Sequence, residues 1–159
     1  GMLSENPNAI ELLIKNQGEI DWDILSSNPN AIELLQDNYT KINWNKLSSN
    51  PNAIDLLKTN KKLINWNILS ANPNAIELLQ ENEGNINWNR LSQNPNAIEL
   101  LRKKINEEED LDEEELEELN SKDKINWDYL TANPCIFEIV GNKIVKTFST
   151  FEDVERWCN

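Results

Sequence analysis

Apolar residues recur along this chain in a unit of 22 residues. In the third unit, the apolar residues from Ala53 to Leu57 lie at i, i+1, i+3 and i+4, which is one stripe of an α-helix and not the alternation of a strand. Asn50 and Pro51 precede this stripe, and the pair is typical of a helix N-cap followed by the first helical position. The unit therefore begins with a predicted helix of about ten residues, which stops at Asn60 because Asn tolerates the left-handed conformation that commonly ends a helix.

A second, shorter apolar pattern completes the unit. After a variable turn, Asn65 can cap a helix in which Trp66 and Leu69 lie on one face. Each unit is therefore predicted to form an αα-hairpin, and neither helix reaches the ~12–15 residues that an isolated helix needs. Stacking of units must supply the missing burial, with the small Ala of each unit allowing close approach and the Trp providing the main apolar mass.

The repetition predicts an all-α fold, a solenoid of short αα-hairpin repeats. The repeated motif is Asn-Pro-Asn-Ala-Ile, with an altered sixth copy, and the copies start at Asn6, Asn28, Asn50, Asn72, Asn94 and Asn133. A Trp stands six residues before each of the last five copies, at Trp22, Trp44, Trp66, Trp88 and Trp127. The solenoid is predicted for residues 3–140, with a first copy that lacks its Trp helix. A leucine-rich repeat has a similar period, but its Leu-x-Leu strand is missing and Pro directly follows Asn here.

Two segments depart from the regular unit. Lys104 stands where the helix-ending Asn is expected, and Asn133 follows Asn94 by 39 residues rather than 22, an insertion of 17. We predict that the helix continues into this insertion, at about residues 105–123, as a helix or helical loop; the alternative is a disordered loop, because like charges repel. Residues 138–159 are predicted to form a small C-terminal cap, a β-hairpin that turns at Gly141-Asn142 followed by a short helix.

Acidic charge is concentrated in the insertion. The chain has 28 acidic and 15 basic residues, a net charge of −13, and residues 106–123 hold eleven acids and one base. The candidate acidic docking segment comprises Glu107, Glu108, Glu109, Asp110, Asp112, Glu113, Glu114, Glu115, Glu117 and Glu118. Because phosphate binding requires a basic face, we expect no nucleic-acid partner.

Several features bear on the cellular compartment. No apolar run reaches the ~18 residues of a transmembrane helix, and the N-terminus has no signal-peptide pattern. Two cysteines are too few for a disulfide framework, which fits a reducing compartment. We therefore expect an intracellular protein that is not secreted and has no membrane partner.

The usual motifs of catalysis and metal binding are missing. The chain has no His, which is the most common general base and metal ligand. It has no Cys-x-x-Cys pair, no Gly-rich phosphate loop and no calcium-loop spacing of acids. We expect no catalytic, cofactor-binding or metal site, and therefore no enzyme.

The unit Ile-x-Trp-x-x-Leu-Ser-x-Asn-Pro-Asn-Ala-Ile-Glu-Leu-Leu-x-x-Asn closely resembles tandem repeats in predicted proteins of giant DNA viruses such as the mimiviruses. The resemblance covers residues 3–140 apart from the insertion, and the ending Asn-Pro-x-Ile-Phe-Glu at 133–138 is also similar. It implies a virally encoded repeat protein that acts inside the host cell, in the cytoplasm or the viral factory. It supplies no catalytic residues.

Positions that vary between units give the leading hypothesis, a non-catalytic scaffold for interaction with a protein partner. The candidate partner surface comprises residues two positions after the Trp, together with residues at the end of the first helix and its turn: Ile14, Ile24, Tyr39, Lys46, Leu63, Ile68, Arg90 and Tyr129. One alternative is a structural component of the virion or viral factory that self-associates through open solenoid ends. The other is a protein that binds basic proteins through the acidic segment.

Overall fold

A computed structural model describes residues 2–135, and every regular element in that range is helical. The all-α prediction is therefore confirmed for this part of the chain. The predicted cap at 138–159 and the end of the repeat region at 136–140 lie outside the described residues.

Each repeat contributes two short α-helices. In chain order the α-helices are α1 (Met2–Glu5), α2 (Ile10–Lys15), α3 (Trp22–Leu25), α4 (Ile32–Asp37), α5 (Trp44–Ser48), α6 (Ile54–Thr59), α7 (Trp66–Leu69), α8 (Ile76–Gln80), α9 (Trp88–Leu91), α10 (Ile98–Glu109), α11 (Glu113–Glu118) and α12 (Trp127–Thr131). Helices α2, α4, α6, α8 and α10 start at the Ile of the repeated motif and are the A helices. Helices α3, α5, α7, α9 and α12 start at the Trp and are the B helices.

Short 3-10 helices connect each A helix to the next B helix, where the sequence predicts only a variable turn. They span Gln17–Glu19, Tyr39–Lys41, Lys61–Leu63, Glu83–Asn85 and, at the end of the insertion, Ser121–Asp123. A further 3-10 helix, Pro7–Ala9, precedes α2 and is capped by the side chain of Asn6.

The A helices are shorter than predicted. Helix α6 has six residues and starts at Ile54, four positions after Asn50. The Oδ1 of Asn50 accepts a hydrogen bond from the N–H of Asn52 at 3.0 Å, and the carbonyl of Asn50 accepts one from the N–H of Ala53 at 3.2 Å. These bonds close a turn around Pro51, because Asn competes for local backbone donors and Pro favours the second position of a β-turn. The prediction of a helix of about ten residues capped by Asn50 is wrong for this physical reason.

Asn60 ends the A helix by a different means than predicted. Its φ of −127° and ψ of 42° are not left-handed. Its Nδ2 donates to the carbonyl of Leu56 at 2.8 Å, while its backbone N–H donates to the carbonyl of Leu57 at 2.9 Å. The side-chain amide thus satisfies a carbonyl that the end of the helix would leave open. Asn16, Asn38 and Asn82 make the same side-chain bond.

The B helices form as predicted. The Oδ1 of Asn65 accepts from the N–H of Ile68 at 3.2 Å, which is the expected N-cap of α7. The equivalent caps are Asp21, Asn43, Asn87 and Asn126. The first copy has no Trp helix, but α1 forms in its place and packs against α3.

Leucine side chains form the centre of the core, and the Trp side chains lie at its edge. Leu25, Leu47, Leu69, Leu91 and Leu130 are fully buried at equivalent positions of the B helices. Trp22, Trp44, Trp66 and Trp88 are only partly buried, and Trp127 is 43% exposed. In each B helix the Trp is the first residue and the Leu lies three positions later, and the Leu is the more deeply buried of the two. The Trp side chains thus pack against the core from its edge, and the predicted close packing at Ala is confirmed by the full burial of Ala31, Ala53 and Ala75.

The insertion is helical. Helix α10 is twelve residues long and continues past Lys104 to Glu109, and the buried side chain of Ile105 packs this extension against the core. Helix α11 follows, with reciprocal hydrogen bonds between Asp112 and Glu115 that form a capping box. The predicted continuation of the helix is confirmed, and the alternative of a disordered loop is wrong.

The side chain of Glu108 links helix α10 to Ile125, where the chain returns to the repeat pattern after the insertion. Its Oε1 accepts from the N–H of Ile125 at 2.8 Å. Burial raises the pKa of the Glu108 carboxyl, while this hydrogen bond and the nearby Lys104 and Lys124 act against the rise. The bond fixes the return of the chain next to Ile125, which is buried.

Candidate functional site

From the second copy onward, the first Asn of the repeated motif joins its repeat to the preceding one. The Nδ2 of Asn50 donates to the carbonyls of Ser26 at 3.2 Å and Asn28 at 2.8 Å. Asn72, Asn94 and Asn133 make the same pair of bonds, and Asn28 donates to the carbonyl of Ser4. These side chains are between 0% and 2% exposed. The result is a buried Asn ladder, which we define as Asn28, Asn50, Asn72, Asn94 and Asn133.

The sequence predicts helix caps at these asparagines, whereas in the structure they form the ladder. A signal was present in the sequence, because all six copies keep Asn although Ser and Asp cap equally well. Only an amide offers both an acceptor for the local turn and a donor for the neighbouring repeat. Repetition of Asn without Ser or Asp therefore indicates use of both groups.

Two further side chains repeat the connection between neighbouring units. The Oγ of Ser48 donates to the carbonyl of Trp44 at 2.8 Å and accepts from the N–H of Asn65 in the next repeat at 3.0 Å. The second Asn of the motif donates across the repeat boundary, as Asn52 does to the carbonyl of Pro29 at 2.9 Å. Cys135 replaces this Asn in the sixth copy, and its thiol is only a weak donor. The invariant residues are therefore occupied with holding repeats together.

The candidate partner residues are mostly at the surface. Ile14, Tyr39, Lys46, Leu63, Arg90 and Tyr129 are exposed, whereas Ile24 and Ile68 are partly buried. The hydroxyl of Tyr39 donates to the Oδ1 of Asn60 at 2.8 Å, and its ring packs edge-on against Trp44 with centroids 5.3 Å apart. Tyr39 thus has a structural role in addition to its exposure.

Leu63 is the member of this set that lines a cleft in the surface, which we call the Trp66 cleft. The cleft has a volume of about 470 Å³, and its walls are mainly polar. We define it by Trp66, Leu63, Asn45, Asn67, Asn85 and Lys122. Lys122 comes from the 3-10 helix at the end of the insertion, and that helix packs against α9. The cleft is therefore built from regular repeats and from the insertion.

Lysine side chains cover two of the Trp rings. The ammonium of Lys41 lies 4.5 Å from the ring centroid of Trp22, and that of Lys104 lies 5.5 Å from the centroid of Trp88. Both distances are within the range of a cation–π interaction. Sequence reasoning treated the Trp series as structural and did not identify these contacts.

Several members of the candidate acidic segment have local structural partners. Glu108 binds the N–H of Ile125, Asp112 and Glu115 cap α11, and Glu107 lies 3.9 Å from the ammonium of Lys104. The other six members are exposed: Glu109, Asp110, Glu113, Glu114, Glu117 and Glu118. Acidic side chains elsewhere form exposed ion pairs between neighbouring repeats, such as Glu83 with Lys103 at 2.7 Å.

Within residues 2–135, no group of His, Cys, Asp and Glu side chains has the arrangement of a metal site. In the same range, no helix combines the length and apolar character that a membrane-spanning segment requires.

Comparison of the chain with models of known protein families, with curated proteins and with solved structures found no match in any of the three.

Proposed function

We propose that the protein is a non-catalytic scaffold, an α-helical solenoid of short αα-hairpins that binds a protein partner. One observation carries the proposal: residues that repeat are used in the ladder between units, whereas most of those that vary at equivalent positions are exposed. At the third position of the B helices, Lys46, Arg90 and Tyr129 are exposed, and Ile24 and Ile68 are partly buried. Solenoids commonly present such variable positions to their partners on an extended surface.

The resemblance of the repeated motif supports a cellular setting for this activity. We infer a virally encoded protein that acts inside the host cell, in the cytoplasm or the viral factory. The absence of His from the sequence and the use of acidic side chains in caps and ion pairs support a role without catalysis.

Affinity capture from a lysate of infected host cells tests the scaffold proposal. The test variant replaces Lys46, Leu63 and Arg90 with Ala, and a matched control replaces Glu33, Gln36 and Gln80, which are exposed on A helices. We expect the test variant to lose a captured protein that the control retains, with the same helicity by circular dichroism. Equal capture by both variants would remove the assignment of this surface.

A second candidate function, self-association, is favoured by the first repeat. Leu12 is 48% exposed, whereas Leu34, Leu56, Leu78 and Leu100 at equivalent positions are no more than 9% exposed. Leu3 is 40% exposed, whereas its equivalents in the B helices are fully buried. Leu3 and Leu12 thus form an exposed apolar face, and we propose that a second copy of the chain covers it.

Light scattering over a range of concentrations tests self-association. We expect the mass to rise with concentration for the unaltered chain and to stay monomeric for a Leu3→Glu, Leu12→Glu variant, because two buried charges would oppose the contact. A monomer at every concentration for the unaltered chain excludes this candidate.

A further inference from the structure

We propose that the Trp66 cleft binds a lysine or arginine side chain from an extended basic segment of a partner protein. The proposal rests on the proposed scaffold function and names the chemistry of its partner. Three observations support it: lysine side chains lie over the rings of Trp22 and Trp88, short residues leave space beside Trp66, and the chain has a net negative charge.

The protein itself places ammonium groups over rings of this series. Lys41 belongs to the 3-10 helix of the repeat that follows Trp22, and it covers that ring. Lys104 lies in the long helix α10 and covers Trp88. Two rings of the Trp series therefore hold a cation through the attraction between a positive charge and an aromatic face.

Within residues 2–135, no lysine covers the ring of Trp66 in this way. Lys41 stands three positions before the next Trp, and the equivalent residue in the repeat after Trp66 is Asn85, which is too short to reach as a lysine does. Gly84 precedes it, and a methyl group added at Gly84 would meet no atom within 4 Å. The short pair Gly84-Asn85 therefore leaves the space that forms the Trp66 cleft.

The walls of the cleft suit the backbone of an extended peptide. The Oδ1 of Asn45 accepts from Asn65 at 2.8 Å, and the Oδ1 of Asn67 accepts from Asn87 at 2.7 Å. These bonds leave the Nδ2 groups of Asn45 and Asn67 to donate to peptide carbonyls. Leu63 adds an exposed apolar edge against which the methylene groups of a lysine or arginine can pack.

Charge favours a basic ligand. The chain carries a net charge of −13, and most of its excess acid lies in the segment that ends beside Lys122 at the cleft. Such a field increases the rate at which a cationic partner arrives. Lys122 is the one positive charge of the defined cleft, so its removal is expected to strengthen the binding of a cation.

Titration calorimetry with the full chain and a capped peptide of alternating Gly and Lys tests the proposal. Asn85→Lys supplies an internal ammonium, and Asn85→Met fills the same space without charge. We expect either change to weaken binding about tenfold, and Lys122→Gln to strengthen it severalfold. Gln80→Lys, which adds the same charge at an exposed position outside the cleft, serves as the matched control and is expected to have a small effect.

A gain of function completes the test. Lys41→Asn uncovers Trp22 and is expected to add a second binding site of the same kind. Unchanged binding by Asn85→Met, with unchanged helicity, overturns the proposal. So does preferential binding of the matching Gly and Glu peptide, especially if Lys122→Gln abolishes it.

Failure of the cleft proposal can be distinguished from failure of the scaffold proposal. If replacement of Lys46, Leu63 and Arg90 abolishes capture of a protein while Asn85→Met does not, the scaffold proposal stands and the cleft proposal fails. If Asn85→Met abolishes both capture and peptide binding, the cleft is the contact point.

Discussion

Asn at the start of each repeat performs two tasks with one side chain. In Asn72 the Oδ1 accepts from the N–H of Asn74 at 3.0 Å, which closes the local turn. The Nδ2 donates to the carbonyls of Ser48 and Asn50 in the preceding repeat. Asp could close the turn but could not donate, and Ser is too short to reach both carbonyls. The requirement for Asn is therefore chemical rather than conformational.

We expect Asn72→Ala to lower the free energy of unfolding by roughly 1–3 kcal/mol, because it removes the side-chain donor to the carbonyl of Ser48, whereas the carbonyl of Asn50 keeps its bond from the N–H of Ala53. Asn74→Ala is the matched control. Asn74 also donates to a carbonyl of the preceding repeat, that of Pro51 at 3.0 Å, but it is exposed. Water can replace that bond, so its loss is expected to stay below about 1 kcal/mol. Urea unfolding followed by circular dichroism measures both.

Equal losses for the two variants would contradict the argument, since burial of the carbonyls would then not decide the cost. A loss confined to Asn74→Ala would contradict it more directly, because the exposed bond would then be the stronger one.

At the scale of elements, the sequence predicted the B helices better than the A helices. Asn65 and Trp66 follow common capping rules, and the structure obeys them. Asn50 and Pro51 fit the same rules but form a turn, because the Asn side chain bonds two residues ahead and delays the helix to Ile54. The Asn-Pro pattern is thus compatible with two structures, a helix N-cap and a turn. In the turn, the Asn side chain also bonds to the preceding repeat, and rules based on local sequence do not include that contact.

The acidic segment shows a similar limit. The missing Asn at Lys104 correctly predicted the long helix α10. The return of the chain depends on the bond between Glu108 and Ile125, 17 positions apart, and no periodic pattern indicates that bond. The Trp66 cleft could not be predicted either, because it arises where short residues of one repeat meet Lys122 from the insertion.

We expect a variant that restores the regular spacing to fold. Deletion of residues 105–121 together with Lys104→Asn returns Asn133 to 22 positions after Asn94 and leaves the ladder bonds of Asn133 intact. The new Asn can cap the carbonyl of Leu100, as Asn60 caps that of Leu56. Circular dichroism and urea unfolding should show a cooperative transition with similar helicity per residue. A loss of the transition would mean that the insertion is required for folding.

At the scale of the whole molecule, the core is a line of equivalent leucines rather than a single centre. Leu13, Leu35, Leu57, Leu79 and Leu101 are fully buried in successive A helices. In the proposed solenoid, each repeat packs mainly against its neighbours, so the free energy of unfolding is the sum of contributions from single repeats and from the interfaces between them. An interior repeat then has two interfaces, whereas the first described repeat has one.

The same Leu→Ala substitution is therefore expected to have different effects in an interior repeat and in the first described repeat. Leu57→Ala removes a fully buried side chain from an interior repeat and is expected to cost about 2–5 kcal/mol and to raise amide hydrogen exchange on both sides of α6. Leu13→Ala removes the same group from the first repeat. It is expected to raise exchange in α1 and α2 while α6 to α9 keep their protection, because the end of the array can open without the rest. Hydrogen exchange measured by mass spectrometry resolves the two patterns. A uniform rise across all helices in Leu13→Ala would show instead that the described repeats unfold as one cooperative unit, and that the interfaces between them are much stronger than the repeats themselves.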